Sequence, residues 1–369
     1  MTKADKEGQR KAPILRFKGF TDDWEQRKLG EIGKIIAGGD KDSKKLRKKG
    51  KYPVLANNLE NNGIIGYYKN NYKIEAPAIT VTARGNIGNA IARFTNFTPV
   101  VRLLVLKTNL DVKFIEQSIN NINFFIESTG VPQLTVPQLA SYSIFIPKKF
   151  EQHKIGNLFK FIDNIVALYE MKKQLLTQLK QGIVNFLITK NGQNPQLRFS
   201  GFNNNWENKS FKKLLNYEQP TKYIVKKADY ISQGTPVLTA NKSFILGYTN
   251  ENNVYQNIPA IIFDDFTLES KYVDFPFMVK SSAIKILTSK NSNLFFIYQL
   301  LNNQRFVQEG HSRHYISVVQ KKKILVPSIQ EQNKIGNLIK QLENNIEQNS
   351  DTIALLKSLK EFLLQNMFL

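Results

Sequence analysis

The chain contains no cysteine. That excludes disulfide scaffolds, thiolate zinc sites and cysteine nucleophiles together. Histidine is scarce, with only His153, His311 and His314, too few for most imidazole-built metal centres. There is no G-x-x-x-x-G-K-[ST] and no G-x-G-x-x-G, so neither an ATP-cradling loop nor a dinucleotide turn is present. No Pro-Pro dipeptide occurs, which removes the Asn/Asp-Pro-Pro-aromatic motif of amino-methyltransferases. No apolar run approaches the ~18–20 residues of a membrane span, and the charged opening lacks the apolar stretch of a signal peptide. A reducing, cytoplasmic setting is expected. Acids are the minority sign: 30 Asp+Glu face 52 Lys+Arg, giving +22 and a pI near 9.8. An excess of that size points to a polyanionic partner.

What is present is a unit written twice. Pro13-Ile-Leu-Arg-Phe-Lys-Gly-Phe20 returns as Pro195-Gln-Leu-Arg-Phe-Ser-Gly-Phe202, and Trp24 returns as Trp206, the only two tryptophans. Glu151-Gln-His-Lys-Ile-Gly-Asn157 returns as Glu331-Gln-Asn-Lys-Ile-Gly-Asn337. Two copies are too few for a solenoid. The spacing divides the chain into a flexible tail (1–12), a mixed α/β domain (13–150), a helix (151–190), a linker (191–194), a second α/β domain (195–330) and a second helix (331–369).

Within the domains, residues 78–83, 84–88 and 89–94 read as strand, glycine turn and strand, with 260–263 and 283–287 as strands in the second copy. Residues 114–127 and 294–308 read as helices. In the long helices apolar residues step alternately by three and four: Ile155, Leu158, Ile162, Ile165, Tyr169, Leu176, Leu179, Ile183 and Phe186, interrupted by Lys172. The second helix follows with Ile339, Leu342, Ile346, Ile353, Leu356, Leu363 and Met367. Five heptads outrun a domain of this size, so helix-on-helix packing is expected. Because Phe159, Val166 and Leu187 widen the stripe, leftover apolar surface is expected to bind other subunits. The interface set is Ile155, Phe159, Ile162, Val166, Tyr169, Leu176, Ile183, Leu338, Leu342, Ile346, Ile353, Leu356 and Leu363.

Charge is uneven. Residues 13–150 carry 21 Lys+Arg against 11 acids and residues 195–330 carry 17 against 9, whereas 331–369 carry 4 against 5. A nucleic-acid surface is therefore expected on each globular domain. Seven cations crowd residues 41–51 after Gly38-Gly39, a loop suited to tracking phosphates through Lys41, Lys44, Lys45, Arg47, Lys48 and Lys49. Arg84 and Asn86 lie on the glycine turn. Arginine can grip guanine bidentately, although a solvated loop arginine is the plain alternative. Gly85-Asn-Ile-Gly88 matches the GxxG clamp of KH domains, yet a hairpin turn explains both glycines. Asn57, Asn58 and Asn241 have the chemistry to read adenine. Further candidates in the second copy are Lys222, Lys226, Lys227, Lys242, Lys271, Arg313 and His314. Asp265 with Glu269-Ser-Lys271 faintly matches a nuclease D…E-x-K core, but their separation hardly admits the hairpin that core needs. No catalytic or metal residue is assigned.

The doubled Pro-x-Leu-Arg-Phe-x-Gly-Phe…Trp opening, the stretch Gly130-Val-Pro-Gln-Leu-Thr-Val-Pro-Gln-Leu139 and the Ile-Pro…Glu-Gln…Ile-Gly preceding each helix resemble specificity subunits of Type I restriction-modification systems. The resemblance implies an α+β chain of two pseudo-symmetric target recognition domains, separated by helices that pair as an antiparallel coiled coil. It implies a bipartite, asymmetric site on double-stranded DNA, two methyltransferase subunits and, where present, restriction subunits. It also implies no cofactor of its own: S-adenosylmethionine, and ATP with Mg where restriction occurs, serve the partners. Copy two departs where Thr129-Gly-Val-Pro-Gln-Leu-Thr135 becomes Gly310-His-Ser-Arg-His-Tyr-Ile316, so contact residues do not transfer between copies. A nuclease or fused methyltransferase, and an RNA-binding scaffold, are the alternatives. The helices are expected to set the gap between half-sites, at ~1.5 Å per residue.

Overall fold

The computed structural model describes residues 11–125, 132–188, 195–227, 229–241, 243–306 and 314–369. The first repeat runs β1 (Glu25–Lys28), α1 (Leu29–Ile32), β2 (Gly33–Ala37), β3 (Tyr52–Leu55), β4 (Ile64–Tyr68), β5 (Ala78–Thr82), β6 (Ala90–Arg93), β7 (Thr98–Pro99), β8 (Leu103–Thr108), α2 (Val112–Asn120), α3 (Val136–Ser141), β9 (Ser143–Ile146) and α4 (Lys149–Leu187). The second runs β10 (Glu207–Ser210), α5 (Phe211–Leu214), β11 (Asn216–Glu218), β12 (Thr235–Leu238), β13 (Ile245–Thr249), β14 (Ala260–Asp264), β15 (Ser270–Val273), β16 (Met278–Val279), β17 (Ile284–Thr288), α6 (Leu294–Asn302), β18 (Lys323–Val326) and α7 (Ile329–Met367).

Sheet order repeats strand for strand. β2-β8-β5-β6 answers β11-β17-β14-β15, β4-β3-β7 answers β13-β12-β16, and β1-β9 answers β10-β18. β5 and β14 are buried along their whole length. Alternate residues enter different cores, Ile79 and Val81 in one and Ala78 in another, Ile261 and Phe263 in one and Ala260 and Ile262 in another, so both faces are covered and the period-2 alternation of a half-exposed strand vanishes. The hairpin read at 78–94 is present as β5 and β6 in register Ala78↔Arg93. In the second copy the hairpin partner of β14 is β15, which polar Ser270-Lys271 concealed; β17 flanks β14 on the other side. The helices read from residues 114 and 294 start two residues earlier and at 294, respectively, and α2 and α6 end at Asn120 and Asn302.

The chain forms two compact units: residues up to Glu170 with Asp351–Leu369, and Met171–Ser350. Each unit thus holds one globular domain, one half of α4 and one part of α7. In the first unit Trp24, Phe114, Phe159 and Phe368 pack together. In the second, Val184, Leu187 and Ile188 from the end of α4 join Trp206, Phe296 and Ile339. The two helices run antiparallel in both. Lys360 Nζ lies 2.6 Å from Asp163 and Lys357 Nζ 2.8 Å from Glu170 in the first unit, and Lys180 pairs with Glu343 in the second.

The repeated motifs meet in space. Arg16 grips Glu151 through Nε (2.8 Å) and Nη2 (2.7 Å), and Arg198 grips Glu331 likewise (2.9 and 2.7 Å). Gln152 and Gln332 each donate to the carbonyl of the proline five residues earlier. Asp111 and Asn293 cap α2 and α6. A Cβ on Gly156 would sit 2.2 Å from the Asp111 carboxylate, and one on Gly336 2.7 Å from Asn293. Glycine is what lets each long helix approach that cap.

Candidate nucleic-acid interface

Residues 41–49 form a surface loop tied to β4. Arg47 and Tyr67 exchange backbone hydrogen bonds of 3.0 and 2.9 Å, and the Asp42 N–H donates to the Tyr68 hydroxyl at 2.7 Å. Asp42 also takes the Lys44 N–H and pairs with Lys45, whose ammonium holds its carboxyl below the usual carboxylate range. Lys41, Lys44, Lys45, Arg47, Lys48 and Lys49 are all exposed. Lys45, Arg47, Lys49 and Lys69 line a groove of about 430 Å³ with Tyr68 and Asn70. Like charges so close repel one another, and an anion entering the groove relieves that repulsion.

Arg84 follows β5 at the turn. Its backbone is held from several sides. Asn57 Nδ2 donates to the Arg84 carbonyl (2.8 Å), and Asn57 Oδ1 accepts the N–H groups of Ala83 (2.6 Å) and Arg84 (3.3 Å). Leu134 N–H donates to the Ala83 carbonyl at 2.7 Å. Gly85 and Gly88 take φ of +72° and +83°, as a hairpin turn requires. Among the described residues no hydrogen bond engages the Arg84 guanidinium. Asn57 is therefore corrected from a base contact to a bracket: its amide is committed inside the domain. Asn58 is exposed, with Oδ1 accepting from Glu60 N–H, and Asn86 is exposed on the turn itself.

The second domain presents other chemistry at the same places. Phe266 stands at the position of Arg84, since β5 and β14 correspond at an offset of 182. Ile231 makes with Tyr248 the bridge that Arg47 makes with Tyr67. Lys222, Lys226 and Lys227 are exposed, and the last two give their backbone N–H groups to Glu251. Asn241 is half-buried and accepts from the Thr239 hydroxyl, and Lys271 is half-buried on β15. Lys242 and Arg313 lie outside the described residues. His314 is corrected: it is 1% exposed, with Nδ1 3.2 Å from the Asp265 carbonyl oxygen. The Asp265 carboxylate accepts the Tyr315 N–H (2.7 Å) and faces Lys285 at 3.4 Å, both side chains buried. That closes the D…E-x-K reading, because the first carboxylate is neutralised inside the domain. Among the described residues no group of three or more His, Asp or Glu could hold a metal ion, and no helix is long and apolar enough to cross a membrane.

The interface set needs revision. Phe159 is fully buried against Phe368, and Ile155, Ile162, Leu342 and Ile353 are buried too. Leu187, named with the widened stripe, is also buried. None of these can meet another subunit. Val166, Tyr169, Leu176, Ile183, Leu338, Ile346, Leu356 and Leu363 are half-buried, as expected along a helix-helix seam. Leu179 and Phe186, assigned to the seam, are about half exposed instead. The outward apolar residues lie on another flank: Phe161, Leu168, Met171 and Leu175 on α4, and Leu355, Leu359 and Phe362 on α7.

Two mixed α/β domains of identical strand order, each with a basic or divergent turn-and-loop surface and joined through long paired helices, define a modular recognition protein. The chain belongs to the Type I restriction modification DNA specificity domain family, which matches residues 21–181 and 203–358. It is similar to the Type I restriction enzyme EcoR124I/EcoR124II specificity subunit of Escherichia coli, 50% identical over 123 residues, 31% of this chain and 30% of that one. The match thus takes in under a third of that relative's length. The fold is similar to that of the S subunit of a Type I restriction-modification system from M. genitalium, at a TM-score of 0.75 and 17% identity over 97% of this chain and 99% of that one.

Proposed function

We propose that this chain is the non-catalytic specificity subunit of a Type I restriction-modification assembly, reading a bipartite, asymmetric site on double-stranded DNA. The observation that carries the reading is divergence at matched positions: Arg84 against Phe266 and Arg47 against Ile231 on one repeated scaffold. A protein reading the same half-site twice needs no such divergence. The basic loop and groove supply sequence-independent phosphate attraction, and the turn residues supply discrimination. The outward apolar flank of α4 and α7 serves methyltransferase subunits, with restriction subunits joining where present. S-adenosylmethionine, ATP and Mg belong to those partners. The test is genome-wide mapping of modified adenines after exchanging residues 13–150 for another recognition domain. One half-site changes and the other stays; a change in both halves refutes the modular reading.

A further inference from the structure

We propose that Asp265, Lys285 and His314 form a buried positioning cluster that holds the Phe266 turn of the second domain in place for base readout, the task that Asn57 performs in the first. This rests on the reading that the turns after β5 and β14 face DNA.

Equivalent backbone pairings fix the three places. Asp265 follows β14 as Ala83 follows β5. Lys285 sits opposite Phe263 as Leu104 sits opposite Val81. His314 donates its N–H to the Asp265 carbonyl as Leu134 donates to that of Ala83. In the first domain Ala83, Leu104 and Leu134 are apolar members of one core, at 1%, 4% and 1% exposure. In the second domain all three side chains are ionisable, and each residue is 1% exposed. Apolar packing therefore suffices at this place in the fold. Burying ionisable groups there instead carries a desolvation cost, which points to a task that packing alone does not perform.

The turn supplies that task. Asn57 brackets the first turn through its amide. The matching pairs Val54↔Thr98 and Val237↔Met278 put Ala240 at the place of Asn57, and alanine has no side-chain donor or acceptor. The second turn is also tighter: residues 265–269 link β14 to β15, where 83–89 link β5 to β6. It bends without glycine, since Leu268 takes φ of +63°. A non-glycine residue holds that conformation only where its surroundings over-determine it. Here Asp264 Oδ1 accepts the N–H groups of Phe266 and Thr267, both at 2.9 Å. All four polar atoms of Asp265 are engaged. Its N–H donates to the Ala283 carbonyl (3.0 Å), and its own carbonyl accepts the His314 N–H (3.2 Å). One carboxylate oxygen accepts the Tyr315 N–H (2.7 Å) and the other faces Lys285 at 3.4 Å. Lys285 Nζ in turn donates to the Ser282 carbonyl (2.9 Å) and to Gln219 Oε1 (3.3 Å). A firm mounting matters for Phe266 because an aromatic ring has no hydrogen bond to correct its aim. It discriminates by contact, as with a thymine methyl, and a gap of about 0.5–1 Å forfeits roughly a quarter to a half of a contact's attraction.

The experiment measures binding of the full chain, with its methyltransferase subunits, to a randomised duplex library, together with amide hydrogen exchange of residues 265–269. Asp265→Asn with Lys285→Met removes both charged partners at once and keeps an acceptor for the Tyr315 N–H, so the second domain should stay folded. Preference at one position of the second half-site should fall by roughly tenfold, with faster exchange in the turn. The first half-site and the affinity for nonspecific duplex should not change. Phe266→Ala should lower the same preference without speeding exchange. If the double variant loses its fold, Asp265→Ala, Lys285→Leu and His314→Leu together install the first domain's apolar trio, and the same loss of preference is expected. Loss of fold in both variants makes the cluster a requirement of the core, and an undiminished preference makes it dispensable. Either result overturns the positioning role, and the turn stands as a reader if Phe266→Ala still lowers the preference. No effect of Phe266→Ala overturns the reading of the turn and the proposal with it.

Discussion

Arg16→Ala tests whether the repeated motifs are a structural joint. Arg16 and Glu151 are 9% and 2% exposed at their side chains and share two short hydrogen bonds. Removing the guanidinium strands a carboxylate where water barely reaches it. Breaking a buried pair this way costs about 3–5 kcal/mol, and the position of Glu151 in the first turn of α4 returns about 0.3–1 of that through the helix N-terminus. A net loss of about 2–5 kcal/mol is expected for the first unit. Arg198 is more open, at 24% exposure over a Glu331 that is 1% exposed, so water partly replaces it and Arg198→Ala should cost less. Arg16→Lys keeps the charge but not the fork, and should fall between. The assay is amide hydrogen exchange in urea, comparing the first turns of α4 with those of α7. Arg16→Ala should speed exchange near Glu151 and leave the turns near Glu331 alone. A loss under about 0.5 kcal/mol, the size of an ordinary surface ion pair, refutes the reasoning.

Arg84→Ala should relax base preference at one position of one half-site by about 1–3 kcal/mol, measured by binding to a randomised duplex library; an unchanged preference removes Arg84 as a reader. Asn57→Ala should blur the same position, since it frees the backbone bracket, whereas a blurred neighbouring position would return Asn57 to direct contact. Replacing Lys45, Arg47 and Lys49 by glutamine should weaken binding to all duplexes alike and reduce the slope of log affinity against log salt by about 2–3; a sequence-dependent loss contradicts a phosphate role. Inserting seven residues after Leu179 and a matching seven after Asn344 keeps both heptad phases and adds about 10 Å. The unspecified gap should grow by about three base pairs. Both helices must be lengthened together, because the Lys180–Glu343 and Asp163–Lys360 pairs fix their common register. An active variant with an unaltered gap shows that the helices do not set it.

Much of the architecture was legible because it is local. The 180-residue echo, the heptads and the turn at Arg84 are all patterns within a few residues or a direct repeat. The misses have one cause, which is that sequence shows a face but not what covers it. Phe159 belongs to an apolar stripe, yet Phe368 from the far end of the chain closes over it. Phe161, two residues on and so turned to the other side of the helix, is left exposed. His314 and Asp265 are polar residue types in a loop-like stretch, and only their 49-residue separation folded into contact buries them. Asn57 has the chemistry to read a base, but Arg84, 27 residues on, takes its amide. β15 was hidden because Ser270 and Lys271 break the apolar run.

The distribution of sameness between the two copies carries its own physical content. The residues kept in both are those whose geometry must be met twice. Arginine closes on the buried glutamate, glutamine reaches the proline carbonyl, glycine admits the helix cap, and tryptophan fills the core beside α2 or α6. All lie where a globular domain meets a long helix. Buried positions also differ, as Val81 against Phe263 and Phe159 against Ile339 show, and each core repacks around the change; on turns, loops and outer helix flanks a substitution changes little packed contact and so carries little folding cost. Arg84 can become Phe266 because the turn that bears it is held by backbone and by a neighbouring side chain, not by the guanidinium. A scaffold organised this way can alter what each half reads without disturbing how either half is held. The same freedom extends to the exposed outer flank of the long helices, where Phe161 and Gln341 occupy equivalent positions of the two repeats.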